Sequence, residues 1–278
     1  MSPLVYIIVL NWNGKDLTID CLKSLANVKY SKFKILVVDN DSTDDSVKTI
    51  RNNYPDVDIL QLDKNIGYAA GNNAGFEFVK IKKPDYVIFL NNDTIVDPNF
   101  IGPLIKPLTE NSLIGQTVPK IFYSNEKNRI WYAGGKVNLW LGQIYHSGIR
   151  KNDSSIYSRS QYTDYATGCC FCMRYEDFDE LGKFDSSFPM YGEDVDLSLR
   201  IGASGKRIFY MPNSNIWHKV SASIGGELSI LKLRRKLQGL IKIFGKHTNL
   251  LQKITIVLFW IISIPYRLLK LIYLIIKN

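Results

Sequence analysis

The chain has 278 residues, of which 46% are hydrophobic and 22% charged, and this balance excludes a disordered, collagen-like or disulfide-scaffold protein. The length allows one large α/β domain or two modest ones. The formal net charge is +9, but the excess lies at one end. Residues 228–278 hold ten basic and no acidic side chains, which leaves 25 basic against 26 acidic residues before them. A neutral body with a cationic tail does not predict nucleic-acid binding.

Apolar runs alternate with helical patterns in the first hundred residues. The runs cover residues 4–10, 35–38, 57–62 and 86–90, and helical spacing fills 16–25, 45–52 and 71–79. This βαβαβαβ order predicts a parallel sheet covered on both faces, with ligands bound beyond the carboxyl ends of its strands. The side chains at those ends are Asn11, Asp39, residues 63–65, and Asn91 to Asp93. Residues 4–10 have no charged leader, so they indicate a strand and not a secretory signal.

The pattern after Pro98 is mixed. It predicts a short helix before Asn111, strands near residues 116–123 and 166–174, and a helix from Glu193 that ends before Gly205. A glycine-rich, aromatic stretch covers residues 131–148. No internal repeat or low-complexity linker is visible, so residues 1–226 are interpreted as one continuous domain.

The tail, residues 227–278, combines its basic residues with long apolar runs. A membrane-spanning helix needs about 20 mostly apolar residues, and Arg267 and Lys270 interrupt this stretch. Basic residues beside aliphatic and aromatic ones favour an amphipathic helix lying in the interface of an anionic membrane. A true span, and a packed or dimer-forming pair of terminal helices, stay open as alternatives.

The cysteines bear on the compartment. One is isolated and three are crowded: Cys21, Cys169, Cys170 and Cys172. This is a poor disulfide framework and favours a reducing environment. Cys169 and Cys172 form a C-x-x-C, but in a strand they would point to opposite faces, so packing is favoured over metal binding. Together with the basic, apolar tail, the cysteines lead us to expect a cytoplasmic protein associated peripherally with the inner face of the cell membrane.

Two common nucleotide signatures do not occur in the sequence. No G-x-G-x-x-G follows the first apolar run and no G-x-x-x-x-G-K-[ST] is present, which argues against dinucleotide and P-loop binding. Acidic strand ends favour a diphosphate held through a divalent cation, since carboxylates repel phosphates unless a metal bridges them. Asn91-Asn92-Asp93 could supply oxygen ligands for Mg²⁺ or Mn²⁺; a plain turn after a strand is the alternative.

Several short motifs occur together in a fixed order. They are IIVLNWNG (7–14), VVDN (37–40), NIGYAAGNN (65–73), LNND (90–93), TGC (167–169), GEDVDL (192–197) and WH (217–218). Over residues 4–220 this order resembles the family 2 glycosyltransferases with a GT-A fold, a Rossmann-like, mostly parallel sheet flanked by helices. The closest resemblance is to rhamnosyltransferase-like members that extend bacterial cell-surface polysaccharides.

The resemblance implies that residues 1–98 bind the nucleotide sugar and residues 99–226 the acceptor. The implied nucleotide-sugar-binding residues are Asn11, Asp39, Asn65, Gly67, Asn91, Asn92 and Asp93. Asp93 and His218 would hold the divalent cation, Mg²⁺ or Mn²⁺. Asn91 stands where many relatives carry Asp, so one charge fewer faces the cation.

The resemblance also implies a catalytic base and an acceptor site. Asp194 matches the base, which takes the proton of the acceptor hydroxyl. Gly168, Glu193 and Trp217 would contact the acceptor. Because Glu193 and Asp194 open a helix, stabilisation of the helix dipole is the structural alternative. Asp196 is expected to pair with a nearby basic side chain.

The predicted function is an inverting, metal-assisted transfer of a sugar from a nucleoside diphosphate to a hydroxyl of a lipid-linked or polymeric glycan. By resemblance alone the favoured donor is dTDP-rhamnose. A degenerate GT-A domain that binds nucleotide or glycan without turnover is one alternative, motivated by Asn91. A nucleotidyltransferase is another, although Asn11-Trp12-Asn13-Gly14-Lys15 is not the Gly/Arg/Lys-rich phosphate loop that it would need.

Overall fold

A mixed sheet with parallel strands at one side forms the centre of the protein. The computed structural model describes residues 2–188, 190–220 and 230–277. Four strands lie side by side in the order β4-β1-β2-β3, all parallel. They are β1 (Val5–Asn11), β2 (Phe33–Asp39), β3 (Asp58–Gln61) and β4 (Tyr86–Asn91). Their carboxyl ends meet at one edge, as the alternation of apolar and helical patterns predicts.

Three helices connect these strands and confirm the predicted βαβαβαβ order. They are α1 (Lys15–Leu25), α2 (Ser46–Asn53) and α3 (Tyr68–Lys80). Helix α3 begins three residues earlier than its apolar pattern predicts, because Gly67 with φ 85° turns the chain directly into the helix. The turn brings the start of α3 to the edge where β1, β2 and β4 end.

The second half of the body adds antiparallel and parallel strands to the free side of β4. The sheet continues in the order β10-β12-β6-β11-β4, with β5 paired to β12 and β7 to β6. These strands are β5 (Thr94–Val96), β6 (Ile114–Tyr123), β7 (Glu126–Tyr132), β10 (Gln161–Thr163), β11 (Cys170–Arg174) and β12 (Arg207–His218). A separate hairpin joins β8 (Gly135–Asn138) and β9 (Gln143–His146) within the aromatic stretch. All four cysteines are buried thiols, as the packing interpretation predicts.

The helices of the second half are α4 (Ile101–Glu110), α5 (Tyr175–Glu180) and α6 (Glu193–Ala203). The predicted helices before Asn111 and from Glu193 are confirmed. Sequence analysis found neither β12 nor the strands β7, β8 and β9. Strand β12 matters for the site, because its last residue, His218, pairs with Thr94 and so lies beside Asp93.

Helices α7 (Ile230–His247) and α8 (Leu250–Lys277) form the tail. Helix α7 packs on α6, and Ile243, Phe244 and Ile256 join the main hydrophobic core. The predicted domain boundary at residues 226–227 lies outside the described residues. No described helix is long and apolar enough to cross a membrane.

Buried charges also connect the tail to the body. Asp196, which is 0% exposed, contacts Lys246 Nζ and His247 Nε2 at 2.7 Å each and Arg200 Nε at 2.9 Å. The expected basic partner of Asp196 is thus found, and two of its partners come from α7. Although burial opposes the shift, the hydrogen bonds from His247 and Lys246 hold the pKa of Asp196 at about 2.

Candidate active site

A cleft of about 320 Å³ opens at the carboxyl ends of β1, β2 and β4. This is the edge at which parallel α/β sheets bind ligands. The cleft is lined by Leu10, Trp12, Asn40, Asn65, Gly67, Tyr68, Asn91, Asn92, Asp93, Met190 and Arg235. Five of the seven predicted nucleotide-sugar-binding residues are in this set.

The other two predicted residues, Asn11 and Asp39, lie beneath the cleft and are 0% exposed. Asn11 Nδ2 donates to Asp39 Oδ1 at 2.8 Å, and the Ser42 amide donates to Asp39 Oδ2 at 3.0 Å. Thr18 and Asn92 donate to Asn11 Oδ1. Asp39 and Asn11 are thus adjacent, as the resemblance implies, but their observed contacts support the loops around the cleft. A direct contact of either residue with nucleotide stays a prediction.

Asn40 holds the loop that carries two of the predicted residues. Its Nδ2 donates to Asn65 Oδ1 at 3.1 Å and to the Gly67 carbonyl at 3.2 Å, and its Oδ1 accepts from the Ile66 amide at 2.9 Å. Asn40 is 2% exposed, so these bonds lie in a protected setting. Sequence analysis did not single out Asn40, although its place directly after Asp39 at the end of β2 was a signal.

Asp93 and His218 come together at one side of the cleft. Asp93 Oδ1 lies 3.1 Å from His218 Nε2, and the two residues are 4% and 8% exposed. Asp93 Oδ1 and His218 Nδ1 are buried without a hydrogen-bond partner among the described residues. The pairing of β5 with the end of β12 explains how residues 125 positions apart meet.

This pair fits a hard divalent cation. A carboxylate oxygen suits Mg²⁺ or Mn²⁺, an imidazole nitrogen is a ligand of transition-metal ions, and Mg²⁺ commonly uses one or two protein carboxylates together with substrate phosphates. Asp93 Oδ1 makes no hydrogen bond among the described residues, and it is the atom that such a cation would satisfy. No group of three or more potential His, Cys, Asp or Glu ligands occurs in the described part of the chain, so any cation there would need further ligands from substrate or water.

Asn92 has a different role from Asp93. Its Nδ2 donates to Thr18 Oγ1 at 3.0 Å and to Asn11 Oδ1 at 3.2 Å, so its amide group is directed toward the buried network. A Cβ on Gly14 would come within 2.6 Å of that nitrogen, which shows how closely the first loop fits against Asn92. Asn92 therefore joins the loop after β4 to the loop after β1.

Asp194 lies beyond Tyr68, at the start of α6. Its Oδ2 accepts from the Gly168 amide at 2.8 Å and its Oδ1 accepts from the Val195 amide at 2.8 Å. The Tyr68 hydroxyl, from the cleft wall, donates to the Gly168 carbonyl at 2.7 Å. Gly168 therefore connects the cleft to the predicted base and positions its carboxylate. A contact of Gly168 with acceptor stays a prediction.

Glu193 and Asp194 form a pair of neighbouring carboxyl groups. Burial, and then the negative charge of Asp194, raises the pKa of Glu193 well above its usual range. Burial also raises the pKa of Asp194, although the hydrogen bonds from the Gly168 and Val195 amides oppose the shift. Glu193 Oε2 is buried with no hydrogen-bond partner among the described residues. Burial therefore raises the pKa values of both neighbouring carboxyl groups, as is typical of groups that exchange protons at functional sites.

Trp217 lies on the opposite face of β12 from His218, because side chains alternate along a strand. Its indole nitrogen donates to the Lys127 carbonyl at 3.3 Å, and its ring stacks on Phe122 with centroids 6.0 Å apart. These contacts are structural, and the acceptor role of Trp217 stays a prediction. Trp131, on β7, packs edge-on against the His218 ring at 4.6 Å instead.

Besides Leu10 and Asn40, four residues that line the cleft escaped sequence analysis: Trp12, Tyr68, Met190 and Arg235. Trp12 follows the end of β1 directly and Tyr68 begins α3, so strand-end and helix-start positions were the missed signals. Met190 reaches the cleft from the loop before α6, and Arg235 reaches it from the tail. No local sequence pattern predicts either position.

The fold is that of the GT-A glycosyltransferases, and the family follows from the sequence. The family model Glycosyl transferase family 2 matches residues 6–182, so the chain belongs to this family. The Mn²⁺-bound structure of GalNAc-T7 with UDP and GalNAc aligns with a TM-score of 0.67 and 18% identity over 87% of this chain and 48% of that one. The structure of mannosyltransferase PcManGT of Pyrobaculum calidifontis, with GDP-Man and Mn²⁺, aligns with a TM-score of 0.63 and 18% identity over 88% of this chain and 64% of that one. These likenesses establish the GT-A fold.

The names of three similar proteins refer to O-antigen biosynthesis or to rhamnosyl transfer. O-antigen biosynthesis protein RfbC of Myxococcus xanthus is 29% identical over 80% of this chain, which spans 18% of RfbC. Rhamnosyltransferase WbbL of Escherichia coli is 29% identical over 77% of this chain and 83% of its own length. The N-acetylglucosaminyl-diphospho-decaprenol L-rhamnosyltransferase of Mycobacterium tuberculosis is 26% identical over 73% of this chain and 72% of its own length.

Proposed function

We propose that the protein is an inverting, metal-dependent glycosyltransferase that moves a sugar from a nucleoside diphosphate to a hydroxyl of a glycan. The observation that carries this proposal is the joint placement of two features around one cleft. Asp93 and His218 stand 3.1 Å apart at the cleft, and Tyr68 links the cleft through Gly168 to Asp194. A leaving-group side and a base side are both needed for direct displacement at an anomeric carbon.

Asp93 and His218 would hold the cation. When bound, a divalent cation supplies positive charge that stabilises the leaving diphosphate. Asn65, Asn91 and the Gly67 backbone line the rest of the cleft and offer polar groups that orient the nucleotide. Trp12, which is 47% exposed at the cleft, offers an aromatic face to the base or sugar.

Asp194 would act as the base. Its two hydrogen bonds from backbone amides fix the carboxylate before the acceptor arrives, which reduces the entropy lost in reaching the transition state. The proton of the acceptor hydroxyl passes to Asp194 while the oxygen attacks the anomeric carbon and the diphosphate leaves. Attack opposite the leaving group inverts the configuration. A protonated Glu193 beside Asp194 would donate to an acceptor oxygen.

The finer assignment is a rhamnosyl donor and a lipid-linked or polymeric acceptor. Its support is the names of two relatives that match most of this chain: both are named rhamnosyltransferases, and one name includes a diphospho-decaprenol. The test is transfer or donor hydrolysis measured with dTDP-rhamnose and with UDP- and GDP-sugars, with and without EDTA. Turnover that EDTA abolishes supports the proposal. Nucleotide binding without turnover on any donor would favour the degenerate domain that Asn91 suggests.

The proposal includes attachment of the tail to an anionic membrane surface on the cytoplasmic side. Exposed apolar side chains repeat at helical spacing along both tail helices. They are Ile230, Leu233, Leu237 and Ile241 on α7, and Leu250, Leu251, Ile254, Val257, Leu258, Ile261 and Ile262 on α8. Arg234 and Lys253 are exposed on the same helices. An apolar face flanked by cations suits an interfacial helix.

Flotation with vesicles that contain an anionic lipid tests this attachment on the full chain. Leu258→Asp with Ile262→Asp should abolish flotation by charging the exposed face of α8. The matched control is Ile81→Asp, which charges a residue that is 75% exposed at the end of α3 in the body. Equal flotation of the tail variant and the wild type would refute the attachment without bearing on the transfer reaction.

A further inference from the structure

Helix α7 of the tail contributes a side chain to the donor cleft. Arg235 lines the cleft together with Asn91 and Asp93, although it lies 142 residues beyond Asp93 in the sequence. Its Nη1 lies 3.9 Å from Met190 Sδ, which directs the guanidinium toward the loop before α6. The basic tail is therefore more than a surface attachment, because one of its cations reaches the site.

Arg235 has no carboxylate partner of its own among the described residues. The described ion pairs of the tail use Lys246 and His247. Within the described residues, the contact of the Arg235 guanidinium is the weak one to the Met190 sulfur. Arg235 is half-buried, so its charge is partly removed from water. A half-buried guanidinium with unused donors is suited to an anionic ligand that arrives in the cleft.

The charges of the cleft point to what that ligand is. Among the described residues that line it, Arg235 is the only cation and Asp93 the only anion, while the others are amide, aromatic, apolar or glycine residues. A nucleoside diphosphate carries more negative charge than one divalent cation shared with Asp93 would balance. A second positive group beside the cation is then required, and Arg235 is the group that the cleft offers.

We infer that Arg235 binds the diphosphate of the nucleotide donor and holds the departing diphosphate during transfer. This inference rests on the proposed function. Its chemistry is a charge-assisted, forked hydrogen bond from the guanidinium to phosphate oxygens. Helix α7 would thereby make donor binding depend on the seating of the tail against the body.

The packing of α7 against the body holds Arg235 in a fixed position relative to the cleft. A Cβ on Gly239 would lie 2.1 Å from the Tyr191 carbonyl oxygen, so the helix backbone touches the loop that leads to Glu193. One turn before Gly239 on the same helix, Arg235 reaches the cleft. Lys246 and His247, two turns beyond Gly239, are held by Asp196. These contacts, all on the C-terminal side of Arg235 in α7, limit where its guanidinium can lie.

Calorimetric titration of the full-length protein with dTDP, UDP and GDP tests the inference, with Mg²⁺ and again with EDTA. For the nucleotide that binds the wild type, Arg235→Ala should weaken diphosphate binding by about 10- to 100-fold. The affinity for the matching nucleoside monophosphate should fall far less. The diphosphate affinity of Arg235→Lys should be intermediate, because lysine keeps the charge and loses the forked hydrogen bond. The loss should persist in EDTA. The control is Arg234→Ala, which removes an exposed neighbour that does not line the cleft.

The outcomes separate this inference from the proposed function. A wild type that binds none of the three diphosphates overturns the nucleotide cleft and the inference with it. A wild type that binds one of them, with Arg235→Ala binding equally well, overturns the inference alone. Equal losses for Arg234→Ala and Arg235→Ala also overturn it, since they indicate a long-range effect of charge. An unchanged melting temperature for Arg235→Ala shows that the variant is folded.

Discussion

Replacement of Gly239 by alanine should loosen the contact between the tail and the catalytic body. The new Cβ would lie 2.1 Å from the Tyr191 carbonyl oxygen and 3.1 Å from its carbonyl carbon. Both atoms belong to the backbone, so no side chain can rotate away and either α7 or the loop must move. The loop has little freedom, because Met190, Tyr191 and Gly192 have successive positive φ angles of 97°, 72° and 108°.

The magnitude follows from two opposed effects. Alanine in a helix is favoured over glycine by about 0.5–1 kcal/mol, whereas overpacking costs about 1–3 kcal/mol. The clash is with backbone, so the net loss for Gly239→Ala should be about 1–2 kcal/mol. For a domain of this size each kcal/mol lowers the melting temperature by about 2–4 °C. Transfer activity should fall as well, since the displaced helix carries Arg235 away from the cleft.

The same helix supplies a matched control. A Cβ on Gly245 would meet nothing within 4 Å, so Gly245→Ala should gain the helix-propensity term without a clash. Its melting temperature should rise by a few degrees at unchanged activity. Thermal unfolding of both variants beside the wild type is the assay. If Gly239→Ala melts at or above the wild-type temperature, α7 does not sit against Tyr191 as described.

Three further predictions concern the site. Asp194→Asn should lower the transfer rate about 100- to 10,000-fold and leave donor affinity in calorimetry unchanged, because the base acts on the acceptor; a variant with more than half the wild-type rate would exclude Asp194 as the base. Asp93→Ala should weaken donor binding in calorimetry with Mg²⁺ present and not with EDTA, and a donor affinity equal to that of the wild type would contradict the cation site. Asp39→Ala should instead lower the free energy of unfolding, measured in urea, by about 1–3 kcal/mol, because it leaves the Asn11 and Ser42 donors unpaired. Glu193→Gln should change the pH dependence of stability. Because the fold raises the pKa of Glu193, the contribution of its protonated carboxyl to stability is complete below about pH 4, the pKa in the unfolded chain, and is lost as pH rises through the folded pKa. Between about pH 5 and about pH 9 the wild type should therefore lose more unfolding free energy than the variant. Parallel pH profiles of the two proteins would refute that ionisation.

The sequence predicts the first half of the body closely because its signals are local. Continuous apolar strands and intervening helices fix the parallel order, and strand ends such as Asn65 and Asp93 then fall at one edge. The two fully buried residues, Asn11 and Asp39, were placed correctly in the fold. Their depth could not be inferred, because it depends on Ser42 from the loop after β2 and on Thr18 from α1.

The rest of the site depends on long-range pairing that no local pattern encodes. His218 reaches Asp93 only because the end of β12 pairs with the short strand β5, and neither strand has a strong apolar alternation. Trp217, one residue earlier, is turned to the other face by the same pairing. Arg235 reaches the cleft only because Gly239 lets α7 approach Tyr191. The resemblance to the family supplied His218, and nothing in the sequence supplied Arg235.

The contacts of the tail change how its charge should be counted. Arg235 lines the cleft, and Lys246 pairs with Asp196 and Asp185. Lys236 lies 5.4 Å above the Tyr191 ring and Lys242 lies 4.6 Å above the Phe188 ring. Four of the ten basic residues of the tail are thus directed at the body. Since each cation near an anionic leaflet contributes about 1 kcal/mol, attraction estimated from all ten is too large. Attachment of the full chain should therefore depend on its exposed apolar face more, and on salt less, than the sequence alone indicates.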